Sequence, residues 1–356
     1  MSRTIEEVLN GLSTWEKRQQ SIINLVNEAT GKTDTDITGA VNSLIEGYGQ
    51  SDTAAKGIIE RTITVLNDDT AEKVGSYAFY TNNTLEEVNL NNIKSIGGYA
   101  FYECDSLVNA NLGSKLEEIG NYAFSSCNNL DTVLTPETLK TIGTSAFLNC
   151  TKLTQISLPD SITVIDKSTF GGCSKLDFSK LPADLITIEG SAFQRCSTLS
   201  IDSLPDGVTN VGSYAFDSCT NMALTHLPEN LTTVGTVGFY NCPKATFTHI
   251  PASVKTIDNR GFDCCTGITE LIFDGAPESI GANAFRNCTN LHTVTFSAPL
   301  GENGLTMYAS AFDGCTKLKT INVSWDQSTN VVGAPPWGAP NVETINWGYV
   351  EDGEEQ

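Results

Sequence analysis

Basic residues are scarce in this 356-residue chain: 21 Lys and Arg stand against 42 Asp and Glu, a formal net charge of −21. Non-specific nucleic-acid binding needs a basic footprint, and anionic lipid attracts polybasic segments. The balance argues against both as partners and reads instead as a solvated acidic surface that keeps the chain soluble. Histidine is scarcer still: His226, His249 and His292 make the whole set, none of them in H-E-x-x-H. No G-x-S-x-G, phosphate-binding loop or dinucleotide fingerprint occurs. No catalytic residue, metal site or cofactor is therefore assigned, and the chain reads as a non-enzyme. No apolar run is long enough to span a bilayer, and the start, Met1-Ser-Arg-Thr-Ile-Glu-Glu, lacks the apolar core of a secretory leader. Membrane insertion is not expected.

What the chain does have is a period. Phenylalanine recurs at Phe79, Phe101, Phe124, Phe147, Phe170, Phe193, Phe216, Phe239, Phe262, Phe285 and Phe312; the first gap is 22 residues, the next eight are 23 and the last is 27. Self-similarity at a fixed period is the signature of a repeat array. Five residues before each Phe lies an aliphatic or Met, as in Ile96 and Met307, and directly before it a small residue, Ala in eight copies. Three residues after it comes Cys in every copy but the first, which has Asn82, so ten of the eleven cysteines share one position. Pro follows at twelve after in six successive copies, from Pro136 to Pro251. Each unit reads L-x-x-I-x-L-P, a turn, L-x-x-I-G, a tight turn, then A-F-x-x-C.

The alternating apolar segments suit short strands, with Pro closing a strand where no ladder donor is needed. A-F-x-x-C is too short for a regular helix and predicts one helical or 3₁₀ turn per coil. Coils stacked ~4.8 Å apart would carry one aromatic spine and one column of buried thiols. In-register cysteines would hold their Cβ vectors parallel rather than convergent, which favours packing over disulfides; C-x₂₋₄-C zinc spacing is missing. Cys264, the one cysteine out of register, is the candidate exposed thiol.

Units such as LTQISLPDSITVIDKSTFGGC, residues 153–173, resemble the BspA-type, or Treponema-type, leucine-rich repeat. The resemblance spans roughly residues 61–323. It implies a β-rich parallel solenoid of about eleven coils, and a surface-exposed or secreted protein that binds other molecules.

Residues 1–50 form a separate module in this reading. Ile5, Val8, Leu12, Trp15, Gln19, Ile22, Val26 and Ala29 follow the 3-4 spacing of a heptad seam. Gly31 supplies a helix stop, and Thr33 to Asp36 the cap of a second amphipathic helix. The module either seals the first coil as a local helical hairpin or self-associates through the seam, for instance as a trimer. Residues 51–60 read as a linker.

Residues 324–356 break the period and hold Trp325, Trp337 and Trp347. They read as an irregular cap over the last coil; the alternative is a binding site at the tip. Within the array, four successive copies move one apolar residue a place earlier, to Phe178, Ile201, Leu224 and Phe247. Such a shift reverses strand facing. Either a bulge keeps these residues buried or they form an exposed apolar stripe that would mark a binding face. Two residues later runs the column Lys180, Ser203, His226 and His249, a set of solvated residues or, through its stacked histidines, a metal- or proton-responsive site.

A second resemblance rests on three stretches. Residues 29–50, ATGKTDTDITGAVNSLIEGYGQ, are similar to a segment near the N-termini of minor structural and tail proteins of phages and prophages of Gram-positive gut bacteria. NMALTHLPENLTTVG, residues 221–235, and the end, residues 321–350, are similar to pieces of such proteins as well. This implies a virion component, held to other tail proteins by its N-terminal module, that recognises a glycan or protein on a bacterial surface. The alternatives are a bacterial cell-surface or secreted adhesin and a purely structural virion spacer.

Overall fold

A computed structural model describes residues 64–68, 71–178, 180–326 and 331–350. The helical module of residues 1–50, with the seam Ile5 to Val26, and the linker at 51–60 lie outside the described residues. The described chain divides into two compact units between Pro159 and Asp160.

The first unit carries two parallel sheets. One has five strands: Val65–Asp68, Glu87–Leu90, Asn109–Asn111, Thr132–Leu134 and Gln155–Ile156. The other has four two-residue strands: Lys73–Val74, Ser95–Ile96, Glu118–Ile119 and Thr141–Ile142. In the second unit, one sheet has eight strands, from Val164–Ile165 to Val331–Val332, and the other five, from His249–Ile250 to Thr344–Trp347. Like pairs with like one coil on: Val88 sits between Leu66 and Ala110, and Val211 between Ile188 and Val234. That register keeps the apolar face of every strand on the same side.

Stacking the coils piles the phenylalanine rings face to face. In the first unit Phe79, Phe101, Phe124 and Phe147 stack at 5.1, 4.9 and 5.3 Å. In the second, the column runs from Phe170 to Phe312 at 5.2 to 5.6 Å. The cysteine column lies beside it, fully buried and unbridged. Within each unit, thiols of the column donate to the carbonyl of the phenylalanine one coil earlier, as Cys127 does to Phe101 at 2.9 Å and Cys219 to Phe193 at 3.0 Å. Where the first copy has Asn82, its Oδ1 instead accepts from the Thr84 and Leu85 amides within its own coil.

Burial pushes the Cys265 thiol up to about 12, and raises Cys219 and Cys242 well above the ordinary thiol value. Cys264 alone is partly exposed. A thiol reagent applied to the folded protein should therefore label one cysteine, lost in Cys264→Ser, and all eleven after denaturation without reductant. Silent cysteines in the denatured protein would mean oxidised pairs and a different core.

The A-F-x-x-C segment is not the helical or 3₁₀ turn expected; no helix occurs among the described residues. Alternate amides do two different jobs. Tyr99, Phe101 and Glu103 donate to Asn121, Ala123 and Ser125 of the next coil, while Ala100, Tyr102 and Cys104 each close a turn onto the carbonyl three residues back. The alternation needs left-handed backbone at two places per coil, Tyr99 (φ 58°) and Glu103 (φ 53°) in this one, which a helix would not contain.

The C-terminal stretch is likewise not an irregular cap. Val331–Val332 and Thr344–Trp347 extend both sheets by one more coil, giving twelve. The carbonyl of buried Trp337 accepts from the Phe312 amide just as that of Ala311 accepts from Phe285.

Candidate functional site

The coils offer two kinds of surface, the outer faces of the strands and the A-F-x-x-C turns. The shifted column comes first. Phe178 is 7% exposed, Ile201 2%, and Leu224 and Phe247 are fully buried. A regular coil buries Leu85, Val88 and Leu90; the shifted one buries Leu176, Phe178 and Leu181. The shifted coils bury these residues by giving up strand pairing here: no strand forms at 177–178, 200–203 or 223–226. Phe178 meets Phe170 and Phe193 edge-on at 5.8 and 6.2 Å. These four candidate ligand contacts are corrected to core residues: a side chain held among phenylalanines has no surface to offer.

The column beside them does face solvent. Lys180, His226 and His249 are exposed and Ser203 is half-buried. Lys180 lies 3.8 Å from Asp160, and His249 Nδ1 is 2.8 Å from Asp274 of the next coil. His226 contacts Thr225 of its own coil at 3.2 Å. No group of three His, Cys, Asp or Glu side chains that could hold a metal occurs among the described residues. Of the three tryptophans, Trp337 is 1% and Trp325 6% exposed, the latter tilted against Phe296 at 5.2 Å. Both are corrected from tip contacts to core; only Trp347 is half-exposed.

Two constellations on the turns escape a reading that follows only the constant columns. In the first unit, Tyr77, Tyr99 and Tyr122, each two residues before a Phe, stack at 4.9 and 4.7 Å. Tyr80 and Tyr102, each one residue after, stack at 5.0 Å. The two rows lean on each other at 57° and 55°. All five are half-exposed. Loss of water and then the neighbouring Tyr122 and Tyr77 raise the Tyr99 hydroxyl above its ordinary value; the Tyr102 hydroxyl is raised first by its hydrogen bond with Glu103. Both stay protonated at neutral pH and keep their donors.

In the second unit the turn position after Phe262 holds Asp263, fully buried. Arg260 Nε donates to it at 2.8 Å, and Arg286 of the next coil at 2.9 Å. Arg260 also lies 4.6 Å over the Tyr240 ring. Asp263 holds the Arg260 guanidinium above its ordinary value. The Cys264 thiol, 3.3 Å from Asp263, is pushed up by burial and then by that carboxylate, so it reacts more slowly than a free thiol while remaining the accessible one.

Coils of one or two short strands each, stacked in parallel around an aromatic and aliphatic core, define a leucine-rich-repeat solenoid, typically a non-enzymatic binding scaffold. Residues 72–200 and 187–319 match the BspA type Leucine rich repeat region, and the chain belongs to that family. Its fold is similar to a leucine-rich repeat protein from Bacteroides ovatus ATCC 8483, at 25% identity over 80% of this chain and 83% of that one, with a TM-score of 0.50. A leucine rich cell surface protein from Faecalibacterium prausnitzii A2-165 is 24% identical over 72% of this chain and 84% of its own, with a TM-score of 0.43. None of the curated proteins compared with the chain matches it.

Proposed function

We propose that this chain is a non-enzymatic binding protein that recognises a receptor on a bacterial surface, as a component of a phage tail or fibre. The observation that carries the reading is the repetition itself. Side chains recur in register from coil to coil and form continuous surface columns, the arrangement by which solenoids engage large partners. The phage assignment draws its support from the likeness of residues 29–50, 221–235 and 321–350 to tail and minor structural proteins. In that setting residues 1–50 attach to other virion proteins, with Ile5, Val8, Leu12, Trp15, Gln19, Ile22 and Val26 as the oligomer seam. The protein then resides in the virion.

Membership in the BspA family favours a second reading, a bacterial surface or secreted adhesin. Labelled protein should bind intact Gram-positive gut bacteria saturably and be displaced by unlabelled protein, and antibody should decorate tails of released particles. Cell binding with decoration of the bacterial envelope instead selects the adhesin; decorated tails without cell binding leave a structural spacer.

A further inference from the structure

We propose that the tyrosine ladder of the first unit is the receptor-binding site, and that it takes a neutral polysaccharide laid along the stack. The inference rests on the recognition role above and names its site and its ligand class.

The tyrosines stand where the fold does not ask for them. Tyr77, Tyr99 and Tyr122 occupy left-handed backbone, φ 62°, 58° and 57°. In later coils the same turn position is met by Ser145, Ser168, Ser191, Tyr214, Val237, Arg260 and Asn283, also left-handed, and nowhere after Tyr122 do two successive coils place tyrosine there. Asn suits that region through its short polar side chain, whereas a bulky ring gains nothing there locally. The coils close equally well around serine, so what the tyrosines add is surface. An unfavourable local choice that repeats at one patch is the pattern of a functional site.

The geometry selects the ligand class. Within each row the ring faces cover one another at 4.7 to 5.0 Å. What meets solvent is ring edges and one hydroxyl per coil in each row. A peptide adds to a sheet through an open backbone edge, but the turn amides here are already committed to the next coil or to their own turn. The ligand must therefore be held by side chains. Residues 75–83, 97–105 and 120–128 contain no Lys or Arg, and only Glu103 and Asp105 are charged. A phosphate-rich or nucleic-acid polymer would be repelled. A neutral glycan offers repeated hydroxyls for the tyrosine hydroxyls and C–H faces for the ring edges, and its sugar units are about as long as one coil is thick.

The test uses the full chain, Tyr99→Ser, and the triple variant Tyr77→Ser, Tyr99→Ser, Tyr122→Ser. Serine is the residue of several later coils, so folding is retained, and a thermal melt checks it. The probes are neutral cell-wall polysaccharide extracted from Gram-positive gut bacteria, purified teichoic acid as the polyanion, and the intact cells. The expected result is saturable binding to the neutral polysaccharide and none to teichoic acid. Tyr99→Ser should weaken it roughly tenfold or more, as loss of a central aromatic anchor does, and the triple variant should abolish it. Equal binding of the triple variant and the unaltered chain to cells or polysaccharide overturns the ladder as site while leaving receptor recognition standing. Preference for teichoic acid overturns the ligand class. Failure of the unaltered chain to bind any of these cells removes the recognition reading, and this inference with it.

Discussion

Phe216→Ala is expected to destabilise the second unit by about 3–5 kcal/mol, the cost of truncating a fully buried aromatic. Phe216 has no solvent exposure and lies 5.4 Å from the Phe193 ring and 5.3 Å from the Phe239 ring. Both faces are covered, so removal opens a void that neighbouring coils, fixed by inter-coil hydrogen bonds, cannot close. Chemical denaturation should show the loss as a lower midpoint. Tyr214→Ser, an exposed change two residues away, should stay within about 0.5 kcal/mol. Because each coil touches only its neighbours, a broken layer also weakens the coupling between the coils on either side. Indistinguishable midpoints for the two variants would place the Phe216 ring outside the core.

The second large effect concerns Asp263. Removing both guanidiniums, Arg260→Ala with Arg286→Ala, leaves a carboxylate with no solvent exposure and no counter-charge. Such a loss is expected to cost about 3–5 kcal/mol. Asp263→Ala should cost less, because the two arginine side chains keep 37% and 32% of their surface and can be rehydrated where they stand. Arg260 also retains its contact with Tyr240. Denaturation of the two variants side by side gives the order; a more damaging Asp263→Ala would mean that the arginines, not the carboxylate, depend on the cluster.

The spine and the thiol column were readable because their residue types are constant at a constant spacing, and nothing else in the chain competes with a 23-residue period. The choice between burial and exposed stripe at Phe178, Ile201, Leu224 and Phe247 needed coordinates, since alternation alone does not say how a coil absorbs a one-residue shift. The turn geometry was hidden for a different reason. Closing a bond onto the third residue back is common to a 3₁₀ turn and to the β-turns that need a left-handed residue, and what separates those two is the sign of φ. Tyr99, Arg195 and Val237 adopt positive φ without being glycine, so no residue type announced it. The twelfth coil lacks both Phe and Cys, which left Trp337 looking like part of a lid. The tyrosine ladder was missed because its column varies after three coils, from Ser145 through Tyr214 and Arg260 to Asn283; lining up the variable positions beside the constant ones reveals it.

The buried sulfur column has a consequence for where such a chain can work. Ten thiols face inward, buried and unbridged, with no solvent path to an oxidant. A fold that leans on sulfur without ever exchanging electrons is indifferent to the redox potential around it. It keeps the same cross-section in reducing and in oxidising surroundings alike.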